Sequence, residues 1–226
     1  MMSNSEELEL ATLRAEMVEV IAFHARIVAA ETGKDHLDDR VMAAMANVPR
    51  HEFVPEPLRT LAYLNVPLPI GYGKTISQPF IVAIMTDLLE IGETDTVLEV
   101  GTGLGYQAAV LCEMADRVYT VEIIAELAEQ GRKRLRQLGY RKVEFRIGDG
   151  SQGWREHAPY DRIIVTSAPT VIPQTLLGQL KPGGRMVIPV GPENQQYLCL
   201  VTKSASGETE SNAVLQVSFS PLVVSH

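Results

Sequence analysis

From residue 94 onward the chain alternates short apolar runs with amphipathic stretches, and this rhythm limits the possible folds more than any other feature. TVLEVG (96–101) reads as a buried strand and YQAAVLCEMA (106–115) as the helix after it. RVYTVEI (117–123) is a second strand, and Ala125 to Leu138 a second helix. KVEFRIGD (142–149) and DRIIVTSA (161–168) are further strands; residues 171–180 form a short helix before GRMVIPVG (184–191). Strands joined through helices pair in parallel, because parallel pairing needs a long crossover. Such a sheet carries helices on both faces. After residue 196 the rhythm stops. YLCLVTKS (197–204) and AVLQVSFSPLVV (213–224), joined by the polar ASGETESN, read as an antiparallel hairpin. The expectation is a doubly wound α/β fold: a mostly parallel seven-stranded sheet closed by an antiparallel C-terminal edge.

The first ninety or so residues carry a different pattern. Residues 5–31 read as a helix, with Leu10, Leu13, Met17, Val20, Ile21, His24, Ile27 and Val28 on one apolar stripe and Gly33 as the stop. His24 on that stripe is expected to pack at the core edge. Residues 36–48 give a second helix, ended by Pro49. The segment 49–79 holds Pro49, Pro55, Pro57, Pro67, Pro69 and Pro79 with Gly71 and Gly73, a loop-rich stretch. Loops of about thirty residues are uncommon in compact domains and often serve as lids or binding loops. Pro79 then opens a helix over 79–90, at the first-turn position that proline favours. Residues 1–92 are thus expected to form helices and a lid, and 93–226 a ligand-binding core, within one compact unit.

Composition removes several classes. A chain of 226 residues with 46% apolar content supports one sizeable domain. A formal net charge of −8 opposes nucleic-acid or anionic-membrane partners held by bulk electrostatics. The basic cluster Arg132, Lys133, Arg134, Arg136 reads as a solvated helix face. Two isolated cysteines, Cys112 and Cys199, make no zinc spacing and read as buried free thiols of a reducing compartment. No apolar run approaches the roughly 18–20 residues that span a bilayer. The acidic N-terminal stretch is unlike a secretory signal, so a cytoplasmic protein without a metal is expected.

The sharpest local motif is Glu99-Val-Gly101-Thr-Gly103-Leu-Gly105-Tyr106, where the first strand of the alternating region meets its helix. Glycines there let the backbone turn tightly and approach a ligand. A dinucleotide fingerprint needs G-x-G-x-x-G. Here the third glycine comes one residue early and Tyr106 stands where that fingerprint has Gly or Ala. The readings left open are an adenosyl ligand, a nicotinamide site and a merely tight turn. Glu122 closes the second strand about 20 residues on, where a carboxylate can accept both hydroxyls of a ribose. Asp149 closes the third strand in Ile147-Gly148-Asp149-Gly150. Three carboxylates at three consecutive strand ends favour a nucleoside ligand.

The E-x-G-x-G-x-G form resembles the first motif of class I S-adenosylmethionine methyltransferases, which implies a Rossmann-like methyltransferase fold. In that family the acidic residue, here Glu99, organises the loop and meets the cofactor amino group, directly or through water. An acidic residue at the Asp149 position meets the adenine amino group. A narrower resemblance joins VPRHEFVP (48–55), PLPIG (67–71), TISQP (75–79), GDGSQGW (148–154), YDRIIVTSAP (160–169), IPQTLLGQLKPGG (172–184), MVIPVG (186–191) and VSFSPLV (217–223). In order, these resemble protein-L-isoaspartate O-methyltransferases from about residue 36 to the end. The resemblance implies methyl transfer from S-adenosyl-L-methionine, with S-adenosyl-L-homocysteine as product, to the free carboxylate of isoaspartyl residues in damaged proteins and peptides. It places Ser77 at the catalytic serine position. Thr75, Ile76, Ser77, Gly101, Gly103, Gly105, Glu122, Ile123, Asp149 and Gly150 match cofactor-binding positions. Leu104, Asn65 and Lys74 depart from the pattern, standing where Ser, Asp and Gln are common.

The implied chemistry suits a chain without a Ser-His-Asp or metal constellation. A carboxylate with a pKa of about 4 is ionised at neutral pH and attacks a sulfonium methyl without a general base. Ser77 is then expected to orient the carboxylate by hydrogen bonding; read from local sequence alone it is an N-cap for the helix at Pro79. Trp154 is expected to pack, His51 and His157 have no sequence partner, and Phe80, Tyr72 and Tyr106 are candidates for the cleft wall. The competing functions are a methyltransferase of another nucleophile, a non-catalytic cofactor-binding module, and a nicotinamide oxidoreductase.

Overall fold

The structure, a computed structural model, describes residues 4–224. Helices α1 (Asn4–Ile27), α2 (Ala29–Thr32) and α3 (Asp39–Asn47) come first. Strands β1 (Leu68–Gly71) and β2 (Lys74–Ile76) form a ribbon, followed by α4 (Pro79–Leu88). The alternating region is β3 (Thr96–Val100), α5 (Tyr106–Cys112), β4 (Arg117–Glu122), α6 (Ala125–Gln137), β5 (Val143–Ile147), β6 (Tyr160–Val165), α7 (Gln174–Gln179) and β7 (Leu180–Val190). Strands β8 (Gln196–Lys203) and β9 (Thr209–Val217) complete it.

The large sheet has the order β5-β4-β3-β6-β7-β8-β9. Strands β3 to β7 are parallel, β8 is antiparallel to β7, and β9 is antiparallel to β8. β8 is therefore the one reversed strand among the described strands of this sheet, as the doubly wound reading with an antiparallel edge expects. The chain leaves β3 toward β4 on one side and returns to pair β6 on the other. A crevice opens at such a reversal, above the carboxyl ends of the strands, and open α/β sheets bind ligands there.

Alternation along each strand divides the core into two layers. Val97, Val118, Ile164 and Val187 face one apolar cluster; Leu98, Val100, Tyr119, Val121, Ile163 and Val165 face the other. The first cluster also takes Leu10, Met17, Phe53, Phe80, Leu111 and Leu135, so the N-terminal helices and the sheet share one core.

Three expected elements differ. The helix over 5–31 breaks at Val28, and Gly33 ends the short second piece with φ +70°. Its buried line is Leu10, Met17, Ile21 and Ala25, whereas Val20 and Ile27 are exposed, because α1 leans toward α3 and α4. The proline-rich segment is built rather than loose. It holds two short 3₁₀ turns, Arg50–Phe53 and Glu56–Leu61, and the β1–β2 ribbon. Tyr72 and Gly73 join that ribbon with φ of +54° and +67°, the double positive φ of hairpin turns that match strand twist. The expected last strand, 213–224, runs instead over Thr209–Val217, starting inside the expected linker; the residues beyond leave the ladder. Cys112 is buried as expected, but Cys199 is only half-buried.

Candidate active site

The glycine loop leaves β3 at the crevice. Gly101 donates its N–H to the Val121 carbonyl at 2.8 Å and has φ +99°. The Thr166 hydroxyl donates to the Gly101 carbonyl at 2.9 Å and fills the space of a side chain; a Cβ on Gly101 would lie 2.2 Å from it. Gly105, with φ +97°, starts α5, and a Cβ there would meet Leu135 at 2.7 Å. The loop is thereby clamped between β6 and α6.

A cavity of about 530 Å³ opens over this loop. Small-molecule sites commonly measure roughly 300–1,000 Å³. Among the expected site residues, Gly101, Gly103, Glu122, Ile123 and Gly150 line it on the sheet side, and Thr75 and Ser77 on the ribbon side. Ile76 faces a smaller recess of about 50 Å³ that shares Thr75, Ser77, Gly101 and Gly103 with the cavity. Glu99, Gly105 and Asp149 line neither space.

Glu122 is shaped for a diol. One carboxylate oxygen accepts the Gly103 N–H at 2.9 Å and the other the Ile124 N–H at 3.0 Å. These bonds fix the plane of the carboxylate and leave each oxygen a further acceptor site. Two adjacent hydroxyls fit that arrangement, so the residues present suit the ribose of an adenosyl cofactor. Asp149 accepts the Ser151 N–H at 2.8 Å and caps the turn Gly150–Gln152. It is Gly150 that reaches the cavity, with its α-carbon pressed so close to Val100 that a Cβ would come within 2.4 Å of Cγ1.

Glu99 sits beneath the loop. Its Oε2 accepts the Thr120 hydroxyl at 2.5 Å, and Thr120 bonds Thr102 of the loop at 2.5 Å. Oε1 is buried with no partner among the described residues. Burial pushes the carboxyl up to about 8; the Thr120 bond opposes this and the Glu122 charge adds to it. Burial thus favours the protonated form of Glu99, which ties loop to sheet.

Ser77 reaches the cavity from β2 and α4, and its hydroxyl has no bonding partner among the described residues. The N-cap reading of Ser77 is not what the structure contains. Gln78 holds the cap position without a side-chain bond, and Asn65 supplies the acceptor from the preceding segment, taking the Phe80 N–H at 3.0 Å. Behind Ser77 lies Arg50, fully buried. Its guanidinium donates to the carbonyls of Ala62 and Ser77, both at 2.8 Å, and lies 4.8 Å from the centre of the Tyr106 ring.

Sequence reasoning named neither Gln78 nor Thr166 nor Ser167 as cavity residues, although each lies within or beside a quoted motif. It also missed the wall formed by the tail from Gln216 to Val223. The Gln196 side chain clamps this tail, accepting from the Phe219 N–H at 2.6 Å and donating to its carbonyl at 3.1 Å. His24 packs on Phe80 and His157 stacks on Tyr119 beside Trp154. His51 is buried against Tyr63. Tyr106 lines the small recess, Phe80 is buried elsewhere and Tyr72 is exposed. Among the described residues no three His, Cys, Asp or Glu side chains could share a metal, and no helix is long and apolar enough to cross a membrane.

The pattern of the family described as Protein-L-isoaspartate(D-aspartate) O-methyltransferase (PCMT) matches residues 24–226. A relative from a Polaromonas species (strain JS666), "Protein-L-isoaspartate O-methyltransferase 1", is 56% identical over 216 residues, 96% of this chain and 92% of the relative. A solved structure titled protein-L-isoaspartate O-methyltransferase superposes with a TM-score of 0.79 at 27% identity, covering 92% of this chain and 65% of that longer one. A Plasmodium falciparum structure, described as a putative enzyme of that name in complex with S-adenosyl-L-homocysteine, has a TM-score of 0.73. It is 22% identical and covers 82% of this chain and 91% of its own, a likeness of fold. With its matched span and its shared identity both covering most of its length, the chain belongs to the protein-L-isoaspartate(D-aspartate) O-methyltransferase family.

Proposed function

We propose that this protein transfers a methyl group from S-adenosyl-L-methionine to the free carboxylate of L-isoaspartyl residues in damaged proteins and peptides, opening their repair through a succinimide. The observation that carries the reading is the meeting, in one cavity, of the Glu122 carboxylate with the unpartnered Ser77 hydroxyl. A nucleoside holder and a free donor for a second substrate share one space.

Bound S-adenosyl-L-methionine supplies an electrophilic sulfonium methyl. Glu122 would take the ribose hydroxyls, and Gly101 and Gly103 would let the ligand lie against bare backbone. Thr75, Ile76 and Ile123 would close around it, and Gly150 would admit the adenine, with Asp149 holding that turn. Glu99 and Gly105 would act on the loop from below. Ser77 would donate to one oxygen of the acceptor carboxylate and leave the other free to attack. The methyl would pass to that free oxygen as its bond to sulfur breaks with the electron pair staying on sulfur, so Ser77 would need to move no proton. Proximity and alignment therefore carry much of the rate. Residues 1–92 would form the lid-bearing segment and 93–226 the cofactor core of one unit. The two free thiols support a cytoplasmic site of action.

The test is methyl incorporation from radiolabelled cofactor into paired peptides that differ only in an L-isoaspartyl or a normal aspartyl residue. Base-labile label confined to the isoaspartyl peptide is expected. Label in neither peptide, despite tight binding of S-adenosyl-L-homocysteine, would overturn the substrate assignment. Ser77→Ala should lower turnover with little change in cofactor affinity.

A further inference from the structure

Only two charged residues line the cavity among the described residues: Glu122 on the sheet side, and Lys74 on the ribbon side. Glu122 accepts the backbone N–H groups of Gly103 in the glycine loop and of Ile124 just after β4. Lys74 is committed to nothing; no hydrogen bond or ion pair engages its side chain among the described residues, and it is half-buried. It opens β2, pairs with Gly71 across the ribbon and leads directly into Thr75 and Ser77.

A second cation lies behind the same segment. Among the described residues the Arg50 guanidinium meets two carbonyls and an aromatic face but no carboxylate, and one of its nitrogens is buried without a partner. Lys74 thus lines the same cavity as Ser77, and Arg50 lies behind the Ser77 carbonyl. Seven other lysines and arginines pair with a carboxylate among the described residues, Lys34 with Asp87, Lys181 with Asp161 and Arg185 with Glu90 among them. A positive charge in a low-dielectric cleft draws anions and strengthens their pairing.

We propose that Lys74 is a specificity-determining residue of this enzyme: the cation that receives the carboxylate of the acceptor peptide and holds it beside Ser77. The inference rests on the function proposed above. Arg50 supplies a fixed background field through the Ser77 segment, and Lys74 supplies the direct contact. A lysine ammonium is a mobile point charge on a flexible stem, suited to a carboxylate presented on varied peptide backbones. Pairing with the nucleophile strengthens binding and does not speed attack, so its signature belongs in the acceptor KM. The Gln common at this position in the family keeps a donor and loses the charge, which makes Lys74→Gln the informative change.

The experiment measures initial rates with an L-isoaspartyl peptide for wild type, Lys74→Gln and Lys74→Arg, each over a salt series. Loss of a charge-assisted bond should raise the peptide KM of Lys74→Gln roughly tenfold, with kcat and the cofactor KM within about twofold. Lys74→Arg should restore most of the peptide KM. Added salt should raise the wild-type peptide KM steeply and that of Lys74→Gln much less. An unchanged peptide KM in Lys74→Gln, equal increases in both KM values, or identical salt slopes would overturn the assignment. If the wild type methylates no isoaspartyl peptide, the proposed function itself fails; if it does so and Lys74→Gln matches it, only the role of Lys74 fails.

Discussion

Asn65 accepts the Phe80 main-chain N–H at 3.0 Å, so helix α4 is capped by a residue outside its own first turn. The first N–H groups of a helix need acceptors, and Gln78 at the cap position offers none. This leaves the Ser77 hydroxyl available to a ligand. Asn65→Ala should destabilise the fold by about 1 kcal/mol, the usual cost of a lost cap. Asn65→Asp, which restores the residue common at this position, keeps the acceptor and adds a negative charge beside a helix N-terminus, so stability should hold or rise. Urea unfolding of the three proteins checks both signs.

The Arg50 fork joins the carbonyls of Ala62 and Ser77 and stacks on Tyr106 behind the glycine loop. Burial lowers the guanidinium to about 10, still protonated at neutral pH. Arg50→Met fills the volume and leaves two carbonyls without donors, at about 1–3 kcal/mol each. Arg50→Lys keeps the charge and can serve only one direction of the fork. We expect Arg50→Met to lose stability in urea. Arg50→Lys should fold, bind S-adenosyl-L-homocysteine in calorimetry near wild-type strength, and turn over more slowly because Ser77 is no longer held. Equal loss of cofactor binding and turnover in Arg50→Lys would contradict the positioning role.

What was legible in the sequence was what local pattern controls. The strands β3 to β7 announced themselves because Val97, Val118, Ile164 and their neighbours fill a sheet covered on both faces. Glu122 was legible because a strand-end carboxylate follows from the repeat itself. The ribbon was not, since Pro69 reads as a breaker and Tyr72 adopts a positive φ that Gly or Asn usually takes. Nor was the exposed side of α1, because Val20 and Ile27 sit on a plausible stripe and only the position of α4 decides against them. Asn65, Arg50 and Gln196 act at sequence distances of 15, 27 and 23 residues, beyond any periodicity.

Gln196 is 2% exposed and replaces the ladder partner that Phe219 would otherwise need. The tail it holds also bridges to Ala168, beyond the end of β6: the Ala168 N–H donates to the Ser220 carbonyl and the Leu222 N–H to the Ala168 carbonyl, both at 2.9 Å. Gln196→Glu replaces the donor facing the Phe219 carbonyl with an acceptor, and Gln196→Ala removes both contacts. Either change should free the tail from the cavity wall. Limited proteolysis should then clip residues after Val217 faster than in wild type, and kcat/KM for an isoaspartyl peptide should fall about tenfold or more. Wild-type protection in both variants would show that Ala168 alone holds the tail.

Glu99 makes stability depend on pH with a sign opposite to that of an ordinary surface carboxylate. Its folded pKa, raised to about 8 by burial with the Glu122 charge adding and the Thr120 bond opposing, exceeds the reference value of 4.5. Between those values the native state holds a proton that the unfolded chain has released. Stability from this group is therefore complete below about pH 4.5, declines by at most about 1.4 kcal/mol per pH unit above it, and is exhausted once pH passes the folded pKa. Glu99→Gln carries a neutral amide at every pH and removes this term. Its urea-unfolding free energy, taken relative to wild type, should climb from pH 6 to pH 8 and then level off. Parallel profiles for the two proteins over pH 6 to 9 would mean that Glu99 is ionised in the native protein, and that the loop above it rests on a buried charge instead of a neutral carboxyl.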